Sequence, residues 1–265
     1  MLFSAYRYLW HWLHRVDAHS LHSPLLFEFY NHVIRPTDPA RLSVTIRDLL
    51  ENAKNDERKI TRRDLGAGSR AHGREVSVAT LARYSTSSAA SRQLLANLIR
   101  WTSAENILEL GTSMGITTLT MAESSPDPHI HSIEGCPQTA AIARELVSSS
   151  GQPGISLYEG NIDDRLPGIL NNMKKVDLAY LDANHRYEPT VDYFNQLLPC
   201  LHKRSVVVIG DISWSRGMQQ AWQEIRQHPN VTASADLLEA GVLFFRPLPY
   251  RMAYAMAMPR ASAAR

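Results

Sequence analysis

The chain has 265 residues, 44% of them hydrophobic, which is enough to bury one large core or one core with a small appendage. Its net charge of +2 excludes nucleic-acid binding driven by bulk charge, and its two cysteines, Cys136 and Cys200, exclude a disulfide framework or a cysteine-based metal cluster. No apolar run reaches the length of a membrane span and the aromatic N-terminal stretch lacks a secretory cleavage site, so the sequence predicts a cytoplasmic protein.

Residues 1–100 are predicted to form a helical extension. Apolar residues recur at helical spacing over residues 2–16, and a second helix is predicted to begin at Pro24 with Ser23 as its N-cap. A third helix is predicted over residues 39–52. For the aromatic first helix, packing onto the main domain is the favoured interpretation. Peripheral contact with a membrane and a homodimer face remain alternatives.

A polar stretch, "NAKNDERKITRRDLGAGSRAHGRE", covers residues 52–75 and is predicted to be a long loop, whose part at residues 61–75 is basic. Long loops in compact proteins are usually functional or mobile. One hypothesis is that it forms a lid in which Arg70 and Arg74, with Arg63 or His72, meet an anionic acceptor. A solvated loop with no such role explains the same pattern equally well.

Residues 101–248 show alternating short apolar runs and amphipathic stretches, which is the pattern of βα units around a parallel sheet. Two further runs near the end, in "NVTASADLLEAGVLFFR", have no helix between them and predict an antiparallel hairpin. The predicted fold is therefore α/β and Rossmann-like, with a seven-stranded, mostly parallel sheet. Residues 249–265 show no partner pattern and are predicted to form a C-terminal tail. The predicted parallel strands cover residues 106–110, 129–134, 154–159, 176–182 and 205–211.

Two glycine-bearing loops compete as the floor of a nucleotide pocket. The first, "DLGAGS" at residues 64–69, follows a stretch charged on both faces, which cannot be a central strand. The second, "NILELGTSMGITTL" at residues 106–119, follows a strand candidate and leads into a helix candidate. A cofactor turn at the top of a parallel sheet needs both neighbours, so the second loop is the predicted site.

The side chains around this second loop favour a cationic nucleoside over a diphosphate. Ser113 occupies the position where a dinucleotide fingerprint has its middle glycine, and Glu109 stands two residues before Gly111. Glu134 ends the next strand, where an acid can bind both ribose hydroxyls. Asp182 and Asp211 end two further strands, but any one strand-end acid can also be a simple helix cap. The four carboxylates together predict S-adenosylmethionine, which carries a sulfonium, an ammonium group and a ribose.

The segment "ASRQLLANLIRWTSAENILELGTSMGITTLTMA" resembles the entrance to the class I S-adenosylmethionine-dependent methyltransferases. The resemblance continues through "IHSIEGC", "LYEGNIDDRLP", "VDLAYLDANHRYEPTVDYFNQLLPCL", "VVVIGDISWSRGMQQAW" and "GVLFFR", and covers about residues 88–247. It is greatest with small-molecule O-methyltransferases of the catechol and caffeoyl-CoA type. An uncharacterised bacterial branch of them also shares "HSPLLFEFYNHVI" and "DLGAGSR".

The resemblance implies a set of cofactor-binding positions. Glu134 would bind the ribose, Asn161 and Ile162 would flank the adenine, and Asp182 would lie beside the methyl donor. The positions implied for the methionine end are Glu109, Gly111, Thr112, Ser113, Gly115 and Thr117.

The metal-dependent relatives hold a divalent cation such as Mg²⁺ at the positions of Asp182 and Asp211 together with an asparagine. Here Ile212 replaces that asparagine and cannot ligate, so the resemblance leaves a metal requirement in doubt, although Mg²⁺ can keep several waters. For the chemistry, His185 is predicted to remove the acceptor's proton, with a role in shaping the pocket as the alternative. Tyr187 and Trp214 are predicted to wall the acceptor pocket.

The predicted function is methyl transfer to a small-molecule acceptor at oxygen, because the motifs N-P-P-Y and D-P-P-Y, which mark methylation of amino groups, are absent. Three other functions stay open at this point. They are an NAD-dependent oxidoreductase, a non-catalytic module that binds S-adenosylmethionine, and a methyltransferase acting on tRNA or another nucleic acid.

Overall fold

A computed structural model describes residues 2–41, 43–63, 75–84 and 86–259 of the chain. Short 3₁₀ turns follow Asp17 and Leu197, and a π-helical turn continues the second helix over Tyr30–Ile34. The helices are α1 (Leu2–His14), α2 (Pro24–Phe29), α3 (Val44–Lys54), α4 (Val78–Tyr84), α5 (Ala89–Thr102), α6 (Ile116–Ser124), α7 (Pro137–Ser150), α8 (Ile162–Met173), α9 (Tyr187–Leu197) and α10 (Arg216–Ile225). The strands are β1 (Lys59–Thr61), β2 (Glu75–Ser77), β3 (Asn106–Leu110), β4 (His129–Glu134), β5 (Ile155–Glu159), β6 (Val176–Leu181), β7 (Leu201–Gly210), β8 (Ala233–Asp236), β9 (Ala240–Phe244) and β10 (Met252–Ala255).

The central sheet has eight strands in the order β10-β8-β9-β7-β6-β3-β4-β5. Only β9 runs antiparallel to its neighbours, so the prediction of a mostly parallel, Rossmann-like sheet with an antiparallel hairpin is confirmed. The strand order reverses direction between β3 and β6, which lie side by side in the middle of the sheet. In sheets of this kind, ligands bind in the crevice outside the carboxyl ends of the strands at such a reversal.

Both faces of the sheet are buried because its central strands carry apolar side chains on both of their faces. In β3, Ile107 packs into the core on one face and Leu108 into the core on the other. The same alternation holds in β7, where Val208 and Val207 point to opposite cores. One core is covered by α2, its π-helical continuation and α5, and the other by α8, α9 and α10.

The N-terminal extension packs directly onto this sheet. Ser23 caps α2 through a hydrogen bond from the backbone N–H of Leu26, with Pro24 at the first helical position, as the sequence predicts. Phe29 is fully buried and meets Phe244 of β9 edge to face, with ring centroids 5.3 Å apart. The third helix begins at Val44 rather than near Pro39, because Ser43 supplies its N-cap.

Two segments without a predicted partner form strands. Residues 59–61 of the predicted loop pair with residues 75–77 in a two-stranded antiparallel ribbon, apart from the main sheet. Residues 252–255 of the predicted tail pair in parallel with β8, so the sheet has eight strands rather than seven. Within the described ranges, no helix is both long and apolar enough to cross a bilayer.

Candidate active site

A cavity of about 940 Å³ opens at the carboxyl ends of β3, β4, β6 and β7. It lies at the reversal of strand order between β3 and β6. Its lining combines the turn after β3, the acid at the end of β4, the loops after β6 and β7, and residues 84–95 of the N-terminal extension. The second glycine loop therefore lines a cavity, as the sequence predicts, whereas the first, at residues 64–69, lies outside the described residues.

The turn after β3 has a backbone shape that requires glycine at its first position. Gly111 has a φ of 101°, and a Cβ added there would overlap the carbonyl oxygen of Asp182. Ser113 also adopts a left-handed conformation, with a φ of 51°. Gly115, with a φ of 82°, is the N-cap of α6. The turn is thus pressed against the end of β6, and Gly111 and Ser113 face the cavity while Gly115 packs against α7.

Glu134 is held rigidly at the cavity wall. Its Oε2 accepts a hydrogen bond of 2.8 Å from the backbone N–H of Ser113, and its Oε1 accepts one of 2.9 Å from the backbone N–H of Cys136. Each carboxylate oxygen has a second lone pair, so the side chain can still accept hydroxyl hydrogens from a ligand. The geometry suits the pair of hydroxyls on a ribose.

Glu109 lies beneath the cavity rather than at its rim. The side chain is fully buried and accepts hydrogen bonds from the hydroxyls of Thr118 and Ser132. Burial raises the pKa of Glu109 to about 8, and the nearby carboxylates of Asp182 and Glu134 add to this shift, so the carboxyl is largely protonated at neutral pH. The expected rim of four carboxylates is therefore a rim of three, and Glu109 contributes no charge to it.

Asp182 follows β6 and is oriented by groups from two directions. Its Oδ2 accepts a 2.7 Å hydrogen bond from the Tyr180 hydroxyl and a 3.3 Å one from the Ser87 hydroxyl, which also accepts a hydrogen bond from Thr117. A Cβ at Gly210, at the end of β7, would lie 2.5 Å from Oδ1. A side chain at that position would therefore displace the carboxylate, whose Oδ1 lies 4.0 Å from Nε2 of His185.

His185 stands between two carboxylates. Its Nε2 lies 3.7 Å from Oδ2 of Asp211 and 4.0 Å from Oδ1 of Asp182. The loop after β6 reaches this arrangement through left-handed backbone at Asn184 and His185, and the loop after β7 has left-handed backbone at Asp211. Burial raises the pKa of Asp211, and the proximity of His185 opposes that shift. The indole of Trp214, 58% exposed, lies 6.5 Å from the imidazole ring and closes one side of the cavity.

The three side chains also form a candidate ligand set for a metal ion. One ligand atom from each of Asp182, His185 and Asp211 lies within 4.8 Å of the other two. Octahedral sites have neighbouring ligand atoms about 3 Å apart when the bonds are near 2.1 Å, so a small contraction of the loops would suit a divalent cation. Ile212 is fully buried and cannot ligate, so His185 would be the third protein ligand of a metal held there.

The structure brings the predicted cofactor positions Thr112, Thr117, Asn161 and Ile162 to the cavity lining, but not Gly115. Of the two residues predicted to wall the acceptor pocket, one lines the cavity and the other does not. Trp214 lines the cavity, whereas Tyr187 begins α9 outside it and donates a hydrogen bond to Glu224 of α10. Arg70, His72 and Arg74 lie outside the described residues, although Arg62 and Arg63, which precede them, line the cavity.

Several cavity residues escaped the sequence analysis, among them Tyr180, Ser87 and Glu239. Tyr180 lies two residues before Asp182, and the period of two along a strand would have placed it on the same side. Ser87 and Glu239 come from the extension and from the turn between β8 and β9, which only the tertiary fold brings to the site. Local sequence patterns carry no sign of such an approach.

A comparison with protein families matches residues 108–212 to a family described as a methyltransferase domain. These residues are a methyltransferase domain. The domain contains the glycine turn, Glu134, Asp182, His185 and Asp211, so it supplies most of the cavity. The Ser87 side of the cavity comes from outside the matched residues.

Two curated proteins that are similar to part of this chain are named as O-methyltransferases. The chain is 29% identical over 123 residues to a catechol O-methyltransferase of Niastella koreensis, and the match covers 45% of this chain and 53% of that protein. A second relative is the O-methyltransferase imqG of Aspergillus flavus, which is 27% identical over 41% of this chain and 45% of its own length. The chain thus spans about half the length of the curated relatives it matches.

Solved structures share the fold at low sequence identity. The SAH-bound methyltransferase PaMTH1 of Podospora anserina superposes with a TM-score of 0.59 at 16% identity, covering 79% of this chain and 91% of that one. The O-methyltransferase TomG of Streptomyces achromogenes, in complex with SAM, gives a TM-score of 0.55 at 21% identity, covering 61% and 82%. These matches confirm the Rossmann-like methyltransferase fold.

Proposed function

We propose that this protein transfers a methyl group from S-adenosylmethionine to a hydroxyl oxygen of a small-molecule acceptor. The observation that carries the proposal is the cavity of the methyltransferase domain, which has Glu134 on one wall and a cluster of Asp182, His185 and Asp211 on another. The names of the curated relatives support oxygen as the accepting atom.

The cavity suits the cofactor on chemical grounds. Glu134 would accept the two ribose hydroxyls, and Asn161 and Ile162 would border the adenine. The Gly111 turn and Thr117 would receive the methionine end, beside Asp182. Ser113 stands where a dinucleotide turn has its middle glycine, and Glu134 places a carboxylate at the cavity wall; both features favour a sulfonium nucleoside over NAD. When bound, S-adenosylmethionine supplies an electrophilic methyl carbon.

The work of this chain's own residues is then to align the acceptor and remove its proton. A neutral imidazole at His185 can accept the proton of an acceptor hydroxyl. Asp182 and Asp211, at 4.0 and 3.7 Å from Nε2, would stabilise the imidazolium that results. Trp214 would cover the acceptor and limit the access of water.

A metal-dependent version of the same function is favoured by one observation, the closeness of ligand atoms from Asp182, His185 and Asp211. A divalent cation held there would polarise the acceptor oxygen, and His185 would be a ligand instead of the base. Mn²⁺ binding, followed by electron paramagnetic resonance in the absence of acceptor, separates the two versions. Binding that Asp211→Asn abolishes assigns the cluster to a metal.

The function itself is tested by calorimetry with S-adenosylhomocysteine and by assaying its release from S-adenosylmethionine with a panel of phenols and diols. We expect binding, and turnover that His185→Gln lowers by about 10²–10⁴-fold with little change in cofactor affinity. If NADH bound and S-adenosylhomocysteine did not, the proposal would be wrong. Binding without turnover on any acceptor would point to a non-catalytic module.

A further inference from the structure

Helix α1 packs on the protein with its polar side inward. Arg7 and His11 are 4% and 5% exposed, and both contact Asp236 at the end of β8. An Arg7 Nη2 donates to Asp236 Oδ2 at 2.9 Å, and His11 Nε2 lies 3.0 Å from the Asp236 carbonyl oxygen. Arg7 also donates to the hydroxyl of Ser213, in the loop between Asp211 and Trp214. These contacts fix which side of the helix faces the core.

The opposite side of α1 is apolar and faces outward. With 3.6 residues per turn, its large side chains spread over an arc of about 160° on the helix surface. A surface helix normally turns its apolar stripe toward the core, so the amphipathicity of α1 is reversed. The outward side chains are Tyr6 (62% exposed), Tyr8 (62%), Leu9 (54%), Trp12 (51%) and Leu13 (62%).

This apolar face is smaller than one half of a standard interface, but it is large enough to form the centre of one. Aromatic side chains bury about 150–250 Å² each, so three half-exposed aromatics and two leucines present roughly 500–600 Å². A standard interface buries about 800 Å² on each partner, and isolated monomers rarely expose more than about 300–600 Å² in one patch. Side chains bordering the helix would supply the remainder.

The chemistry of the face favours a second copy of this chain over a membrane or an unrelated protein. The arginine of α1 is buried against Asp236 and the helix has no lysine, so its exposed basic groups are confined to His14 and the following Arg15 at its C-terminal end. A helix that lies on a membrane surface is instead rich in lysine and arginine along its polar face. Homodimer interfaces are more apolar than other interfaces, whereas partners of a different kind are usually selected by complementary charges. No side chain of the arc carries a charge.

We propose that the apolar face of α1 is the contact face of a homodimer, in which α1 packs against α1 of a second copy around a twofold axis. In such an interface each copy presents the same patch. Leu9 and Leu13 lie one turn apart in the arc, and Trp12 and Tyr8 flank them on one side. The inference is independent of the methyl-transfer proposal, because it uses no residue of the cavity.

The test is the mass of the full-length protein in solution, measured by light scattering after gel filtration over a wide range of concentration. The wild-type protein should have twice the 29.8 kDa of the chain. A Leu9→Glu/Leu13→Glu double variant should be monomeric, with a dissociation constant raised at least about a hundredfold, because each carboxylate would be buried against apolar side chains. The milder Leu9→Ser should weaken the dimer by a smaller factor.

The matched control is Val44→Glu, which places the same charge on an exposed apolar position of another helix, 60% exposed in the first turn of α3. It should remain dimeric, and thermal unfolding should show that all variants are folded. A monomeric wild-type protein would overturn the proposal, and so would a double variant that still dimerises. A wild-type monomer that sediments with phosphatidylcholine vesicles would assign the face to a membrane instead.

Discussion

Replacing Glu134 with glutamine tests the cofactor assignment at its best-defined contact. In the proposed complex each carboxylate oxygen would accept one ribose hydroxyl while it keeps its bond to the backbone N–H of Ser113 or Cys136. Glutamine retains one acceptor oxygen, and its amide group would face a backbone N–H donor. One hydrogen bond to a charged acceptor is therefore lost, at a cost of about 1.5–3 kcal/mol.

This cost corresponds to a dissociation constant for S-adenosylhomocysteine about 10- to 150-fold higher, measured by isothermal titration calorimetry. Glu159→Gln is the control, because Glu159 stands opposite Glu134 on the neighbouring strand but pairs with Arg144 at 2.8 Å and does not line the cavity. If Glu134→Gln bound the ligand as tightly as the wild-type protein, or if both variants lost the same affinity, the ribose assignment would be refuted.

Three further predictions concern stability and can be checked by urea unfolding. The folded protein keeps the Glu109 proton up to about pH 8, whereas the unfolded chain releases it near pH 4.5, so the free energy of unfolding should fall as pH rises through that interval. Glu109→Gln should reduce this slope; an unchanged slope would contradict the assigned burial effect. Gly241→Ala should destabilise the fold by about 1–3 kcal/mol, because its Cβ would lie 2.6 Å from ring atoms of the buried Trp222, and a variant as stable as the wild type would mean that the ring moves freely. Arg7→Leu should cost about 3–5 kcal/mol by leaving Asp236 buried without its cation, and a loss below about 1 kcal/mol would show that the pair is not needed.

Local patterns were sufficient for most of the sheet. Strands 106–110 and 129–134 lie where their apolar residues predict them, since a central parallel strand is apolar on both sides. The edge strand at residues 252–255 was missed because it lacks this apolar pattern. The sequence "MAYA" is short and mixed, and its pairing with β8 depends on tertiary structure that local patterns do not encode.

The candidate site was predictable where a residue's position follows from the end of its strand. Glu134, Asp182 and Asp211 all reach the cavity because the carboxyl ends of parallel strands share one edge. Glu109 lies one residue before the end of β3. Because side chains alternate along a strand, it points into the layer beneath α6, where it contacts Thr118. Tyr187 was misplaced because the rotation of α9 is set by its packing on α10, which the sequence does not encode locally.

The bond between the backbone N–H of Val16 and the carbonyl of Ala255 joins segments that are far apart in the sequence, and a guanidinium N–H of Arg35 similarly reaches the carbonyl of Met258. During synthesis, the helix that carries Arg7 emerges long before Asp236 and the final sheet strand, so it must wait on the ribosome without its binding partners. Removing residues beyond 251 would strip the sheet of its last strand and release the first helix from one of its anchors.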